Sequence, residues 1–337
     1  MSNLFKRAAI FTDLHLGMKS NSAIHNQDCE RYMDWFINLV KSRDCDMVLF
    51  LGDFHHNRNS INITTMDYSL RLLQKLDDLG LRVIFIPGNH DLYHKDKRTI
   101  SSVKYISKFK NIELINDQFT ESDVCFVPWL IGEEHKNMRK IKARYVMGHF
   151  ELPSFLMNAM VEMPDHGDLS ADDFQGIEHV FTGHFHKRQT KGNIHYIGNA
   201  FPHNFADAWD DARGAVIMEW GQAPEFVDWA EGPKYKTMDL ARLIDEADQL
   251  LDDKTYARIN LDISISYEEA NFIKETMMQQ YGCRELTLIP AKQMLDMEGV
   301  EIESNFESVD QIVIGQIQAI DTNSYDKKLL MEIYSGL

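Results

Sequence analysis

Cysteine is scarce in this 337-residue chain: Cys29, Cys45, Cys125 and Cys283 are all there are, and no two form a C-x-x-C pair. That scarcity excludes a disulfide framework and a thiolate-held zinc site, and it fits a reducing compartment. Long apolar runs are missing too. The longest, Met47 to Leu51, falls far short of the roughly 20 residues a membrane span needs. Behind Lys6 and Arg7 only a few apolar residues precede Asp13, too few for the h-region of a signal peptide. The expectation is a protein neither secreted nor embedded in a membrane. Positive charge is also short: 35 Lys/Arg face 52 Asp/Glu, a net charge of −17. A stand-alone nucleic-acid binder usually carries the opposite footprint.

What is present is unevenly placed. The 44% of hydrophobic residues are ample for a core, and the length suits one large domain plus something smaller. Residues 1–232 hold 25 Lys/Arg against 32 Asp/Glu, whereas 233–337 hold 10 against 20. All fourteen histidines lie between His15 and His203. Clustering this complete favours a histidine-using site confined to the first two-thirds of the chain.

Short apolar runs bounded by Gly, Pro, Asp or Asn predict strands at Arg7–Thr12, Met47–Leu51, Arg82–Ile86, Val124–Val127, Tyr145–Met147, His179–Thr182 and Ala215–Glu219. Helical spacing of apolar residues predicts helices over Asp28–Ser42 and Thr65–Leu79, the second closed by Gly80. Such alternation predicts an α/β fold with mainly parallel pairing. After Gly232-Pro233 the order helix (Asp239–Leu251), strand (Tyr256–Ser264), helix (Glu268–Tyr281), strand (Arg284–Pro290) predicts a small second α/β domain. The predicted organisation is a main domain at 1–232, a small α/β domain at 233–291, an acidic linker at 292–306 and a helical tail at 307–337. The amphipathic stripes of that tail suit either packing on their own domain or docking on a partner.

The residues behind the strands carry the chemistry. Asp13-Leu14-His15 follows the first, Gly52-Asp53 with His55 and His56 the second, and Gly88-Asn89-His90-Asp91 the third. Gly148-His149 and Gly183-His184-Phe185-His186 follow two later ones. Loops beyond the carboxyl ends of strands are where open α/β sheets bind ligands. Imidazole and carboxylate donors without thiolate suit a pair of Mn, Fe or Zn ions. Alternate residues of an extended segment point the same way, so D-x-H and H-x-H each place two donors on one side.

This series, D-x-H, G-D, G-N-H-D, G-H, G-H-x-H, resembles the signature of the calcineurin-like metallophosphoesterases. Within that superfamily the chain resembles the SbcD-type nucleases of DNA double-strand-break repair, phage members included. Protein phosphatases of the superfamily have G-D-x-V-D-R-G and G-N-H-E where this chain has Gly52-Asp53-Phe54-His55-His56 and Gly88-Asn89-His90-Asp91. Pro128-Trp129 and the closing run Tyr196-Ile197-Gly198-Asn199, Phe205, Asp211-Ala212-Arg213-Gly214 also resemble the nuclease branch. Asn199 departs from the Ser or Thr more usual there. The resemblance is strong over 1–220 and only architectural afterwards.

It implies an αββα sandwich of two packed mixed sheets flanked by helices, with a small α/β capping domain and a C-terminal helical tail. One metal would be held by Asp13, His15, Asp53 and His186, the other by Asp53, Asn89, His149 and His184, with Asp53 bridging. Mn2+ is the expected ion and Mg2+ the alternative. A hydroxide activated by the two metals would attack the phosphodiester in line. His90 would stabilise the transition state and protonate the leaving alkoxide, and Asp91 would orient and charge-tune His90. His56 matches a histidine implicated in handling the DNA end, with His55 as the rival of the pair. His25, His94, His135, His166, His179, His195 and His203 are read as surface or satisfied-core histidines.

Basic runs flank these loops, and Lys97, Arg98, Lys140, Lys187 and Arg188 are the candidate phosphate contacts. The resemblance also implies an SMC-like coiled-coil ATPase as partner, with a homodimer of the nuclease inside a heterotetramer, docked through the tail. The expected location is the cytoplasm of a bacterial host. Two other readings stand beside the DNA nuclease: a phosphatase or nucleotide phosphodiesterase of the same superfamily, and a non-catalytic scaffold on the same fold. The scaffold reading predicts lost ligands, whereas here every ligand position and His90 are present.

Overall fold

The computed structural model describes residues 3–157, 161–261 and 265–290. The expected linker and helical tail lie outside the described residues, as does the end of the predicted strand at 262–264.

Two six-stranded sheets form the body of the chain. In the first, the spatial order is Glu225–Asp228, Gly214–Glu219, Arg7–Phe11, Met47–Phe50, Arg82–Phe85, Ile112–Leu114. The four strands from Arg7–Phe11 onward run parallel, and the two strands late in sequence add antiparallel on the other side. In the second sheet the order is Gln189–Lys191, Ile194–Tyr196, His179–Gly183, Tyr145–His149, Val124–Val127, Phe119–Glu121. Its inner four strands are parallel and its edges antiparallel. Both sheets are mixed.

Alternation along the central strands decides which layer each side chain joins. Ala8, Ile10, Leu49, Ile84 and Val216 leave one face of the first sheet and meet Phe126, Tyr145, Met147 and Phe181 of the second. Ala9, Phe11, Val48, Phe50 and Phe85 leave the other face and pack on Tyr32, Phe36, Leu72 and Leu76. Those partners come from helices Ala23–Ser42 and Ile63–Asp77. The second helix starts where it does because the Asn62 side chain accepts a hydrogen bond from Thr65 N at 2.7 Å, capping an otherwise orphan amide. Phe50 is fully buried against Phe11, Phe54 and Phe85, and its truncation to Ala would cost about 3–5 kcal/mol.

The outer face of the second sheet is covered differently. Val127, Val146 and Val180 pack on Phe150, Phe155 and Phe174, and the helical segments there are two 3-10 turns, Gly132–Lys140 and Ala171–Phe174. The layer sequence is therefore α-helix, sheet, sheet, 3-10 turns with loops.

A separate sheet of Lys234–Asp239, Thr255–Leu261 and Glu285–Pro290 carries helices Leu240–Leu250 and Tyr267–Tyr281, with its own core around Leu243, Ile259 and Leu286. The predicted helix–strand–helix–strand order omits its first strand, Lys234–Asp239. Lys236 interrupts the apolar pattern there, although its amine pairs with Asp211 at 2.5 Å. Arg284 clamps Asp28 of the first long helix at 2.5 and 2.8 Å. Lys19 meets the stacked rings of Tyr235 and Tyr256. Among the described residues, no helix is long and apolar enough to cross a membrane.

Candidate metal centre

The loops behind the parallel strands converge at one end of the two sheets. The first two extend the sheet as they leave it: Leu14 N and His15 N both donate to Asp53 O, at 3.0 and 3.1 Å, and Leu16 N to Phe54 O at 2.9 Å. In the second sheet Gly183 pairs with His149, so His184 emerges beside that imidazole.

The turns are sharp. Asp13, His15, Asp53 and His184 have φ of 50°, 51°, 61° and 90°, left-handed backbone that costs a non-glycine residue about 1–3 kcal/mol. Strain of this kind collects where a side chain must be aimed. Gly52, at φ 100°, leaves room that no other residue would: a Cβ there would stand 2.5 Å from His149 Nδ1 and 2.7 Å from Gly88 N.

Two groups of donors result, and they share Asp53. Asp13, His15 and Asp53 present ligand atoms within 4.8 Å of one another, as do Asp53, His149 and His184. On the first side, His15 Nε2 lies 3.8 Å from Asp13 Oδ1, 3.6 Å from Asp53 Oδ2 and 3.1 Å from His186 Nε2. On the second, Asn89 Oδ1 lies 3.1 Å from His149 Nε2 and 2.9 Å from His184 Nδ1. All seven residues expected to bind metal therefore line one centre.

The donor set fits divalent cations. His149 gives its Nδ1 proton to Leu51 O at 2.7 Å, leaving an Nε2 lone pair that faces Asp53 Oδ2 at 3.5 Å and the Asn89 oxygen. Left unprotonated, that nitrogen is one of three acceptors pointing at one another, an arrangement that a shared cation satisfies. Burial opposes a charge on His149, yet the Asp53 carboxylate outweighs it and pushes the imidazole up to about 9. Despite burial, His149 holds the Asp53 carboxyl well below its ordinary range. Burial lowers His15 to about 4, keeping it the neutral ring a metal requires.

His90 stands at the edge of this centre. Its main-chain N donates to Asp53 Oδ1 at 2.8 Å, and its Nδ1 meets the carbonyl of His56 at 2.7 Å. The His56 ring is stacked on it at 5.4 Å and 19°, and His56 Nδ1 lies 3.4 Å from His15 Nδ1. His55 points the other way, buried, with its ring nitrogens on Ser102 Oγ at 3.0 Å and Ser69 Oγ at 2.8 Å. Of the pair, only His56 reaches the centre.

Asp91 departs from expectation. Its Oδ1 accepts from Phe54 N at 3.0 Å and His55 N at 3.2 Å, and its Oδ2 from Asp53 N and Gly88 N, both at 2.9 Å. Both oxygens are thus committed to four backbone amides, and the orienting of His90 falls to the His56 carbonyl. Burial and the Asp53 charge push Asp91 up to about 7 against those donors. Its part is to lock the loop behind Arg82–Phe85 onto the loop behind Met47–Phe50.

The candidate phosphate contacts divide. Lys97 and Lys140 are exposed. Arg98 is not available: it binds Glu134 with 2.7 and 2.5 Å contacts and the Trp129 carbonyl at 2.5 Å, with its side chain 11% exposed. Lys187 lies 3.7 Å from Asp210, and Arg188 is paired to Asp228. Runs of basic residues do not reveal acids that come from elsewhere in the chain.

Several residues at the centre were missed by the sequence reading. Glu151 Oε1 lies 3.7 Å from His184 Nε2, an outer carboxylate of the kind that fixes a ligand's tautomer. The Trp129 ring leans over His184 at 5.0 Å. His25 is a satisfied-core histidine, as expected, but it holds the His15 carbonyl at 2.9 Å. His203 is neither at the surface nor satisfied. It is wholly buried, neither ring nitrogen has a hydrogen-bond partner, and its ring stands 5.5 Å from His15 and 5.3 Å from His186. The signal available was the clustering of histidines, of which His203 is the last.

The chain is 30% identical over 216 residues to exonuclease subunit 1 of Enterobacteria phage T4, covering 61% of this chain and 62% of that protein's length. Among solved structures, Pseudomonas putida nuclease MPE is 16% identical at a TM-score of 0.32, covering 62% of this chain and 82% of its own. A dimetal phosphatase from Danio rerio is 11% identical at a TM-score of 0.40, covering 64% and 92%. Residues 6–188, more than half of the chain and all seven donors included, match the calcineurin-like phosphoesterases, and the chain belongs to that family.

Proposed function

We propose that this chain is a metal-dependent DNA nuclease that hydrolyses phosphodiesters. The observation that supports it best is the pair of donor groups sharing Asp53, with His90 held at their edge. The similarity to a phage exonuclease subunit favours DNA over a small phosphomonoester as substrate. Asp13, His15, Asp53 and His186 would hold one ion and Asp53, Asn89, His149 and His184 the other, with Mn2+ the expected metal. When bound, such a pair neutralises charge on the phosphodiester and makes a water acidic enough to act as nucleophile near neutral pH.

The chain's own residues do the rest. With its Nδ1 proton on the His56 carbonyl, His90 in its imidazolium form carries a second proton on Nε2, which stabilises negative charge on the phosphoryl oxygens and is then given to the departing alkoxide. The stacked His56 ring narrows the approach beside His90, which suits a role in placing a DNA end. Exposed Lys97, on the strand Lys97–Ser101 that follows the G-N-H-D turn, supplies a phosphate contact. Within a recombination and repair complex, an SMC-like ATPase would bring most of the DNA affinity that a chain of net charge −17 lacks. Deleting residues 305–337 should then abolish association with that ATPase and leave metal-dependent cleavage intact.

The test of substrate class compares linear duplex DNA with bis-p-nitrophenyl and p-nitrophenyl phosphate in Mn2+. The proposal expects both diesters to be cleaved and the monoester to be poor. Fast monoester turnover with intact DNA would establish a phosphatase instead.

A further inference from the structure

Seven residues account for the two donor groups, and His203 is not one of them. Yet no described imidazole is so poorly provided for. It is wholly buried, and both Nδ1 and Nε2 lack a hydrogen-bond partner. A buried polar nitrogen left unpaired is destabilising, so a site that keeps such a ring must hold something for it to bind.

The fold spends several charged groups on keeping it there. His203 N donates to Asp207 Oδ2 at 2.9 Å, and the same carboxylate oxygen accepts from Asn199 Nδ2 at 3.3 Å. Arg213, 1% exposed, donates to Asn199 Oδ1 at 2.6 Å and grips Asp210 at 2.7 and 2.9 Å. Asn199 N in turn binds the carbonyl of His186 at 3.1 Å. One buried network thus fixes His203 and the main chain of His186 together. It also gives a physical reason for Asn199: its amide both accepts from Arg213 and donates to Asp207, which a hydroxyl at that position is too short to do in the same way.

His203 faces the two rings already on that side. Ligand nitrogens of His15, His186 and His203 lie within 4.8 Å of one another, and the His15 and His186 Nε2 atoms are 3.1 Å apart. Ion–nitrogen bonds of about 2.1 Å place donors of one ion up to about 4 Å apart, so only a small inward rotation is needed. The rings of His25 and Phe201 stand 5.3 and 5.0 Å from that of His203, and neither gives its nitrogens a hydrogen-bond partner.

We infer that His203 is a third imidazole ligand of the divalent cation held by His15 and His186, making that site richer in nitrogen than its neighbour on Asn89, His149 and His184. The inference rests on the reading of this centre as a two-metal site. A nitrogen-rich site favours Mn2+, Fe2+ or Zn2+ over Mg2+, which prefers oxygen.

The test is Mn2+ titration into the chelator-stripped full-length chain, followed by calorimetry, with His203→Gln and His203→Phe as variants. The wild type should take up two ions. In both variants one of the two should bind about tenfold to a hundredfold more weakly, the range seen even for outer-sphere partners, while the other keeps its affinity. The Co2+-loaded wild type gives a count that needs no variant: a hyperfine-shifted imidazole signal for His203 in addition to those of His15, His149, His184 and His186. Two ions bound with wild-type affinity by either folded variant, or no shifted His203 signal, overturns the inference and leaves the two-metal reading standing. A wild type that takes up no ion overturns both.

Discussion

His90 gives its Nδ1 proton to the main-chain carbonyl of His56 across 2.7 Å. The orientation of the candidate general acid is therefore set by backbone, and the sequence of His56 matters to it less than the path of its chain. His90→Gln should lower DNA cleavage by about 10²–10⁴-fold while Mn2+ uptake stays at the wild-type level. His56→Ala keeps the carbonyl and removes only the stacked ring, so its loss should be smaller. Equal losses in cleavage assays of the two variants would contradict orientation by the carbonyl.

Asp91 ties four amides from two loops to one carboxylate. Asp91→Ala leaves those buried donors unpaired, at about 1–3 kcal/mol for each that finds no water. Urea unfolding should show a loss of several kcal/mol, with Asp91→Asn milder because one acceptor survives. A loss under about 1 kcal/mol would mean that the two loops hold without it.

Acid and alkali should each weaken the metal-free chain. Burial lowers His25 and His55 from 6.5 to about 3. The unfolded chain takes up these protons as pH falls through 6.5 and the folded chain does not until near 3. Stability therefore falls over that window, by about 1.4 kcal/mol per pH unit for each fully buried group. His149 has the opposite sign. Raised to about 9 by Asp53 despite burial, it contributes stability that is fully present below 6.5 and is lost as pH rises through 9. Melting temperatures in EDTA should peak near neutrality, and His149→Gln should remove the alkaline limb. An alkaline limb unchanged in that variant would refute the assignment.

Lys97 and Arg98 are neighbours with different fates. Charge reversal at exposed Lys97 should weaken DNA binding and reduce the salt slope by about one. Arg98→Gln breaks the contacts to Glu134 and the Trp129 carbonyl and should cost about 1.5–3 kcal/mol of stability, read by thermal melt, with little change in the salt slope. A salt slope that responds to Arg98 and not to Lys97 would reverse the two assignments.

Much of this is legible in the amino-acid sequence. Met47–Phe50 and Val124–Val127 are buried on both faces and read as continuous apolar runs, as strands inside a mainly parallel sheet must. The seven donors follow such strands directly, which is why local motifs located them. What stayed hidden depends on contacts across the chain. Asp91 sits beside His90 in sequence, but its carboxylate turns inward to amides at residues 53 to 55 and 88. Arg98 reads as one of a basic run until Glu134 arrives from a 3-10 turn. His203 carries no motif at all; only the Asn199–Arg213–Asp207 network brings it to the metal loops. The short edge strands Phe119–Glu121 and Gln189–Lys191 are polar and exposed in part, and their pairing partners rather than their composition define them.

The measurement that bears most directly on the central claim is cleavage of end-labelled linear duplex DNA in Mn2+ by the wild type and by Asp53→Asn, with bound Mn2+ counted in the same samples. Asp53 belongs to both donor groups, so its neutralisation should remove DNA cleavage and lower the affinity for both ions together. DNA cut equally well by the two proteins, or a wild type that binds Mn2+ and turns over only phosphomonoesters, would contradict the account.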